Sequence, residues 1–262
     1  MSRRNDGKAE RRPYDPLRTR KSGPAAEGWI WGRHAVEAAL ANPRRTGVRR
    51  LLVAGDKSLF DPRAERISAR ELAELLPTRA AHQGVALLAD PPEATPLEAL
   101  LEAADGVLVM LDQVTDPQNV GAIFRSAAAF GARGIILQDR NAPALTATVA
   151  KAAAGALDAV PHARVVNLSR ALEMLEEAGW RAVGMAGAAD GDLEAVLDER
   201  PTVLVLGSEG EGLRRLVREH CDAVGRIPMP GGFESLNVSA AAAIALYAAS
   251  RRSRKQSGGE KD

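Results

Sequence analysis

The sequence contains little cysteine and few aromatic residues, and each scarcity excludes a class of protein. A single cysteine, Cys221, cannot form an internal disulfide framework and fits a reducing, cytoplasmic compartment. Aromatic residues make up only 3% of the chain, so the core must be built mainly from alanine, leucine and valine. The chain has no apolar run of about 18 residues, the length that a membrane-spanning helix needs. We therefore expect no membrane-spanning helix.

The N-terminal segment and the histidines exclude two further possibilities. The segment MSRRNDGKAERRPYDPLRTRKSG has no apolar stretch after its charges, so it does not read as a secretory signal. The four histidines, His34, His82, His162 and His220, are dispersed and show no metal-ligand spacing. The sequence thus predicts a cytoplasmic protein without a metal site.

Charge is spread unevenly along the chain, although the net charge is only +1. Basic residues outnumber acidic residues by eight to four over residues 1–27, by ten to seven over 28–90 and by five to two over 251–262. Residues 91–250 instead carry twelve basic and twenty-one acidic residues. Basic flanks on an acidic body suit contact with a polyanion such as a phosphate backbone. They are equally consistent with solubilising tails.

Hydrophobic patterning predicts two α/β units with tails on either side. Residues 1–27 lack hydrophobic periodicity and are expected to be a disordered basic tail. Residues 28–90 alternate short helices and strands and predict a small α/β domain, which the Pro-rich linker 91–104 separates from a second unit. That second unit covers residues 105–250, and residues 251–262 are expected to be another disordered tail.

The second unit has the pattern of an α/β domain with a mainly parallel sheet. The run GVLVMLDQV is nearly all apolar, as in a strand that is buried on both faces of a parallel sheet. Further strands alternate with helices, including one predicted over TATVAKAAAGAL, residues 146–157. Ligands of such sheets bind in the loops at the carboxyl ends of the strands. Three of these loops carry polar side chains.

The first loop leads into a helix in the stretch DPQNVGAIFRSAAAFG. Asn119 lies at the helix entrance, and Arg125 lies among residues with little bulk, such as Gly121. A separation of six residues places the two side chains on different helix faces, so they converge only if Asn119 is the N-cap and turns outward. The alternative is an ordinary solvated arginine on a small-residue helix.

The second loop, LGSEGEGLRRL, does not fit a phosphate-binding turn. Its glycines lack the GxGxxG order, and no GK[ST] follows them. Glu209 and Glu211 would place carboxylates against a pyrophosphate, which disfavours a nucleotide-dependent oxidoreductase. The loop suits a neutral or cationic ligand, or close approach of backbone. A tight β–α turn with solvated glutamates is equally consistent.

The third stretch, IPMPGGFESLNVSAAAAIALYAA, consists of a loop followed by an Ala-rich helix. Ser235, Asn237 and Ser239 cluster at the helix start, where any one of them is able to act as the N-cap. Three such residues are more than capping needs. At least one is therefore available for another hydrogen bond.

Taken together, the three stretches resemble the SpoU (TrmH-type) family of RNA ribose 2′-O-methyltransferases, within the SPOUT superfamily. The likeness rests on LDQVTDPQNVGAIFRSAAAFGA, LVLGSEGEGL and IPMPGGFESLNVSAAAAIALYAA and covers roughly residues 105–250. It extends to IWGRHAVEAAL and HQGVALLA, which resemble the small substrate-binding domain of the subgroup that methylates a guanosine in large-subunit ribosomal RNA. The implied fold is a small N-terminal α/β substrate-binding domain followed by a SPOUT domain, which has a mainly parallel sheet and a deep trefoil knot.

The resemblance also implies partners and site residues. It implies a homodimer that binds RNA and S-adenosylmethionine, without a metal ion. The implied cofactor-binding residues are Gly207, Ile227, Met229 and Leu236, and the implied catalytic residues are Asn119, Arg125, Glu209, Ser235 and Asn237.

The chemistry of these residue types suits that assignment. S-adenosylmethionine carries a sulfonium cation, which an acidic loop tolerates, and its adenine needs an apolar slot. A guanidinium holds its proton near neutrality, so we expect Arg125 to bind phosphate and stabilise alkoxide charge, although a role as general base stays open. Glu209 would hold Arg125 or Asn119 in place. A transfer-RNA target, or a non-catalytic RNA-binding assembly factor of the same fold, are the alternatives.

Overall fold

The computed structural model describes residues 28–55, 61–231 and 235–257, with side chains as far as residue 252. The predicted tail 1–27 lies outside the described residues, as do residues 258–262 of the second tail. The described chain forms two sheets, a four-stranded sheet near the N-terminus and a seven-stranded sheet after it.

The four-stranded sheet and two helices make up the small unit, residues 28–90. Its elements are β1 (Trp29–Trp31), α1 (Arg33–Ala41), β2 (Val48–Ala54), β3 (Glu65–Ile67), α2 (Ala69–Leu75) and β4 (Val85–Ala89). The strand order is β1-β4-β2-β3, in which β4 is antiparallel to both neighbours and β3 is parallel to β2. Helix α2 begins at a capping box, in which Ser68 and Glu71 each accept a hydrogen bond from the other's backbone N–H.

The seven-stranded sheet belongs to the large unit, residues 105–257, which follows helix α3 (Leu97–Leu101). The elements of the large unit are β5 (Val107–Leu111), α4 (Pro117–Phe130), β6 (Gly134–Gln138), α5 (Ala147–Ala153), α6 (Ala156–Ala159), β7 (His162–Val165), α7 (Leu168–Glu177), β8 (Arg181–Met185), β9 (Gly191–Asp192), α8 (Leu193–Val196), β10 (Thr202–Leu206), α9 (Arg215–Glu219), β11 (Ala223–Arg226) and α10 (Val238–Ser257). The strand order is β7-β6-β5-β10-β8-β11-β9, and every described pairing in it is parallel. The predicted mainly parallel α/β fold is confirmed, whereas the trefoil knot stays a prediction.

Both faces of the large sheet are covered, which explains its apolar strands. In β5, Val107, Val109 and Leu111 pack into the cluster beneath α4, α5 and α10, whereas Leu108 and Met110 pack into the cluster beneath α3 and α7. Because successive strand residues point to opposite faces, a strand buried on both sides needs no polar position. The apolar run therefore follows from the layer arrangement.

The helix predicted over residues 146–157 is two helices, and that prediction is wrong. Helix α5 ends at Ala153, and α6 begins at Ala156. The two residues between them have left-handed backbone, with φ of 50° at Ala154 and 93° at Gly155. Glycine adopts that conformation without strain, so it ends one helix and redirects the chain into the next.

Two predicted boundaries also differ from the structure. The linker 91–104 contains α3, whose Leu97 and Leu100 are buried against the large sheet. The last helix continues to Ser257, into the segment 251–262 that was expected to be a disordered tail, because neither glycine nor proline occurs in its sequence before position 258. Within the described ranges, no helix is long and apolar enough to cross a membrane.

Candidate active site

Helix α4 carries the first polar residue of the site. Asp116 is the N-cap, since its side chain accepts a hydrogen bond from the backbone N–H of Gln118 at 3.1 Å, and Pro117 takes the first helical position. Asn119 therefore lies in the first turn of α4 and is not the N-cap. Its amide reaches the neighbouring loops from inside the helix.

The loop after β10 is shaped by close backbone contact. Ser208 and Gly212 exchange two backbone hydrogen bonds, of 3.2 and 3.0 Å, which close a tight loop. A Cβ at position 207 would lie 2.1 Å from the carbonyl carbon of Gly212, so only glycine fits there. The resulting turn presents Glu209 at an exposed tip.

Asn237 performs two tasks at the start of α10. Its Oδ1 accepts hydrogen bonds from the backbone N–H of Ser239 at 2.9 Å and of Ala240 at 3.4 Å, which caps the helix. The hydroxyl of Ser239 donates to the same oxygen at 2.6 Å. The Nδ2 group of Asn237 is left to donate elsewhere.

Asn119, Glu209 and Asn237 converge from the three predicted loops into one network, which we call the amide–carboxylate network. The Oε1 atom of Glu209 accepts from Asn119 Nδ2 at 3.2 Å, from Asn237 Nδ2 at 2.7 Å and from the backbone N–H of Val238 at 3.3 Å. Asn237 Nδ2 also donates to Asn119 Oδ1 at 3.0 Å. Glu209 thus holds two amide side chains that are 118 residues apart in the sequence.

A pocket of about 630 Å³ lies beside this network, at the carboxyl ends of β8, β10 and β11. All four predicted cofactor-binding residues line it, together with three of the predicted catalytic residues: Gly207, Ile227, Met229, Leu236, Glu209, Ser235 and Asn237. The position at the strand ends is where ligands of parallel sheets bind, and the volume suits a nucleoside-sized molecule. Ser235 faces the pocket from an exposed stretch of loop.

Arg125 is not among the residues that line the pocket, and it does not take part in the amide–carboxylate network. Its side chain is exposed on α4 and makes no hydrogen bond or ion pair with residues that the structure describes. Glu209 therefore holds Asn119 and not Arg125. Of its small neighbours, Gly121 serves helix packing, because a Cβ there would lie 2.4 Å from Ala152 Cβ on α5.

Several pocket residues were missed by the sequence analysis. Met185, the last residue of β8, and Ala186 and Gly187 after it line the pocket, but they carry no polar side chain that would have marked them. Their position at the end of a buried strand was the available signal. Arg226 was also missed; it lines the pocket and donates from Nε to Asp192 at 2.9 Å.

A buried carboxylate that also went unnoticed anchors the glycine loop. Asp112, fully buried at the end of β5, accepts from the backbone N–H of Arg214 at 2.9 Å and from its Nε at 2.7 Å. This pair ties the chain after the loop to the neighbouring strand. The loop is thereby fixed at both ends.

Cys221 and His220 stand outside this arrangement. The Cys221 thiol donates to the carbonyl of Val217 at 3.3 Å, and burial raises its pKa to about 12. A thiol with so high a pKa is a poor nucleophile near neutral pH. His220 contacts the carbonyl of Leu216 and the side chain of Glu173, and these contacts support a structural role for both residues.

The fold and the pocket define an α/β protein whose ligand site lies at the carboxyl ends of parallel strands, beside an exposed carboxylate and without a phosphate loop. Residues 106–247 match the SpoU rRNA Methylase family. The chain belongs to this family, which confirms the resemblance.

Relatives and solved structures agree with this assignment. The chain is 41% identical over 238 residues to the 23S rRNA (guanosine-2′-O-)-methyltransferase RlmB of Pseudomonas aeruginosa, covering 83% of this chain and 94% of that one. It is 40% identical over 247 residues to the RlmB of Xanthomonas campestris, covering 86% and 96%. The SpoU methyltransferase AviRb from Streptomyces viridochromogenes, solved in complex with the cofactor AdoMet, superposes with a TM-score of 0.72 at 29% identity, covering 90% of this chain and 92% of that one.

Proposed function

We propose that this protein transfers the methyl group of S-adenosylmethionine to a ribose 2′-hydroxyl of RNA, and that its substrate is a guanosine of 23S ribosomal RNA. The observation that carries the proposal is the convergence of Asn119, Glu209 and Asn237 beside a pocket of about 630 Å³. The RlmB relatives, which this chain spans almost completely, carry the guanosine-2′-O-methyltransferase name. Action on ribosomal RNA would support a cytoplasmic location.

The pocket fits S-adenosylmethionine by its chemistry. The side chains of Met185, Leu206 and Ile227 offer an apolar lining for adenine, and the glycine loop lets backbone groups approach the ligand. Glu209 lines the same pocket, so a positively charged sulfonium meets a carboxylate there. When bound, S-adenosylmethionine supplies an electrophilic methyl group.

The residues of the chain would then orient the ribose and manage charge. The amide–carboxylate network holds two amides, whose donors and acceptors suit ribose hydroxyls. Ser235 would contact the ribose or its phosphate from the loop at the pocket rim. Arg125, exposed and charged, would bind a neighbouring phosphate and stabilise the negative charge that develops on the attacking oxygen.

A direct test uses labelled S-adenosylmethionine and unmodified large-subunit RNA, followed by mapping of ribose methylation. We expect methyl transfer to the 2′-oxygen of one guanosine. Transfer to transfer RNA alone would replace the substrate, and RNA binding without transfer to any RNA would contradict the enzymatic function. Parallel reactions on transfer RNA and small-subunit RNA separate these outcomes.

We also propose that the protein acts as a homodimer through one face of α4 and α10. Ile244 and Tyr247 expose 41% and 50% of their surface on α10, and Tyr247 contacts Phe130 at the end of α4 edge-on. Ala129, which precedes Phe130 on α4, is small and exposed, which would allow a second copy to approach closely. Sedimentation should give a dimer for the wild type and a monomer for Tyr247→Arg with Ile244→Asp. A monomeric wild type would contradict the proposal.

A further inference from the structure

The small unit is joined to the large unit by the linker and also packs against α5 and α6 of the large unit. Helix α1 contacts α6, and β1 contacts α5. Within this contact, a Cβ added to Gly155 would lie 3.2 Å from Ala38 Cβ and 3.4 Å from the carbonyl oxygen of His34. The left-handed break between α5 and α6 therefore creates the space into which α1 fits.

A group of three polar side chains, which we call the docking cluster, lies buried in this contact. It consists of Asn42 and Arg45, from the loop between α1 and β2, and Asp158 of α6. The residues are 7%, 6% and 7% exposed. Sequence separations of more than 100 residues join the two sides of the cluster.

Every charge in the docking cluster has a directed partner. Arg45 donates from Nε to Asp158 Oδ1 at 2.7 Å and from Nη2 to Oδ2 at 3.0 Å, as a bidentate pair. Its Nη1 donates to the backbone carbonyl of Asp90, at the end of the small unit. Asn42 Nδ2 donates to Asp158 Oδ1 at 2.9 Å, and Asn42 Oδ1 accepts from the backbone N–H of Arg44 at 3.0 Å.

Such a cluster favours a single orientation of the two units. A planar guanidinium and a carboxylate pair well only in one relative geometry, and a buried charge without its partner is strongly unfavourable. Loss of either Arg45 or Asp158 alone would leave the other charge buried without its partner, which should weaken the contact between the two units.

Peripheral contacts support the same orientation. Arg44 donates from Nη1 to Thr95 Oγ1 at 3.2 Å, and the backbone N–H of Thr95 donates to the carbonyl of His162 at 2.7 Å. The start of the linker is therefore bonded to both units. Lys151 Nζ lies 6.0 Å from the ring centre of Trp31, which adds a weak cation–π contact.

We propose that the docking cluster positions RNA for methyl transfer: it holds the small unit at one orientation, so that RNA bound there presents its ribose to the pocket of the large unit. This inference rests on the proposed function. Arg45 and Asp158 touch neither cofactor nor ribose and act only through the placement of the small unit. They are positioning residues.

The test compares three variants with the wild type. Asp158→Ala removes the shared acceptor. Arg45→Met combined with Asp158→Leu replaces the ion pair by apolar groups of similar volume and retains docking. Glu219→Ala is the matched control, because it removes a carboxylate from the exposed Arg215–Glu219 pair on α9, away from the contact. Each is assayed for methyl transfer to large-subunit RNA, for S-adenosylhomocysteine affinity by calorimetry and for hydrogen exchange at residues 42–46 and 155–160.

For Asp158→Ala we expect faster exchange at both segments, a KM for RNA that rises about tenfold or more, and a kcat and cofactor affinity changed by less than about threefold. The double variant and Glu219→Ala should keep the wild-type KM. If Asp158→Ala does not fold, Asn42→Ala removes one of the three donors and should raise the KM in the same direction by a smaller factor.

Two results would overturn the positioning role alone. The first is a wild-type KM in Asp158→Ala or Asn42→Ala although exchange shows that both segments are released. The second is fast exchange at both segments in the wild type. Absence of methyl transfer by the wild type would instead overturn the proposed function, and the positioning role with it.

Discussion

Two carboxylates in this protein each gather three hydrogen-bond donors from distant parts of the chain, but one is exposed and the other is buried. Glu209 accepts from two amide side chains and a backbone N–H at the rim of the pocket. Asp158 accepts from Asn42 and twice from Arg45 inside the contact between the two units. Similar connectivity therefore serves two different purposes.

Solvent explains the difference between them. Water competes for each partner of the exposed Glu209, so its network contributes little to folding but stays accessible to a ligand. Water cannot replace the partners of Asp158, so loss of one partner leaves an unpaired buried group. Burial, more than the number of hydrogen bonds, should decide which carboxylate matters for stability and which for chemistry.

The strongest test of this comparison removes each carboxylate in turn. Asp158→Ala leaves Arg45 buried without its partner and should lower the free energy of unfolding by about 3–5 kcal/mol. Glu209→Ala, which frees exposed amides that water can solvate, should change it by less than about 1 kcal/mol. Urea unfolding of the two variants and the wild type measures both values. Equal losses would contradict the assignment of roles by burial.

Substitutions at the exposed site should reduce kcat more than substitutions in the buried docking cluster, which is the opposite of their order in stability. Arg125→Ala should reduce kcat by about 10²–10³-fold, because an exposed cation that stabilises developing charge acts mainly in the transition state. Its stability should be close to that of the wild type, since Arg125 has no partner among the residues that the structure describes. Arg170→Ala, at another exposed arginine on α7, is the matched control. A kcat for Arg125→Ala within threefold of the control would sink its catalytic role.

The sequence predicted the exposed region much better than the buried one. The three loops were identified because Asn119, Glu209 and Asn237 stand out as polar residues after apolar strands. The docking contact was not predicted, because an Ala-rich stretch that contains one glycine, Gly155, has the pattern of a single helix. Asp158 and Arg45 could not be identified from the sequence, because no local pattern shows that residues 113 positions apart will meet.

The same reasoning explains the partial success within the site. Polar residues at strand ends predict a pocket, but apolar wall residues such as Met185 carry no such mark. The convergence of Arg125 with Asn119 was expected only if Asn119 were the N-cap, and Asp116 occupies that position. The sequence therefore predicted the polar residues of the pocket, but it did not determine which side chains of α4 point toward the pocket.

Acid should weaken the buried region through His162, a histidine of β7 whose backbone carbonyl accepts from the linker residue Thr95. Burial, with Arg164 and Arg44 nearby, lowers the pKa of His162 from 6.5 to about 4. In the unfolded chain His162 becomes protonated below about pH 6.5, whereas in the folded chain it stays neutral until about pH 4. The free energy of unfolding therefore falls as the pH is lowered through this window.

Between pH 7 and pH 5 the loss from this one histidine should be about 2 kcal/mol. His162→Gln removes the titrating group and should flatten the dependence by that amount. Urea unfolding of both proteins at the two pH values measures the difference. An unchanged slope in His162→Gln would show that other groups cause the acid sensitivity.

Arg226 should give the smallest effect, and it tests what an exposed ion pair permits. Arg226 and Asp192 are about half exposed, so the Arg226 guanidinium can exchange Asp192 for the carboxylate of a bound S-adenosylmethionine at little cost in free energy. The buried Arg45 of the docking cluster cannot exchange its partner in this way. Arg226 is the only lysine or arginine among the described residues that line the pocket. Arg226→Ala should therefore weaken binding of S-adenosylhomocysteine about tenfold, or about 1.4 kcal/mol, in calorimetry. Binding of 5′-methylthioadenosine, which lacks the amino-acid group, should not change, and Arg215→Ala should alter neither. Equal weakening of both ligands would mean that Arg226 shapes the pocket and does not bind the carboxylate.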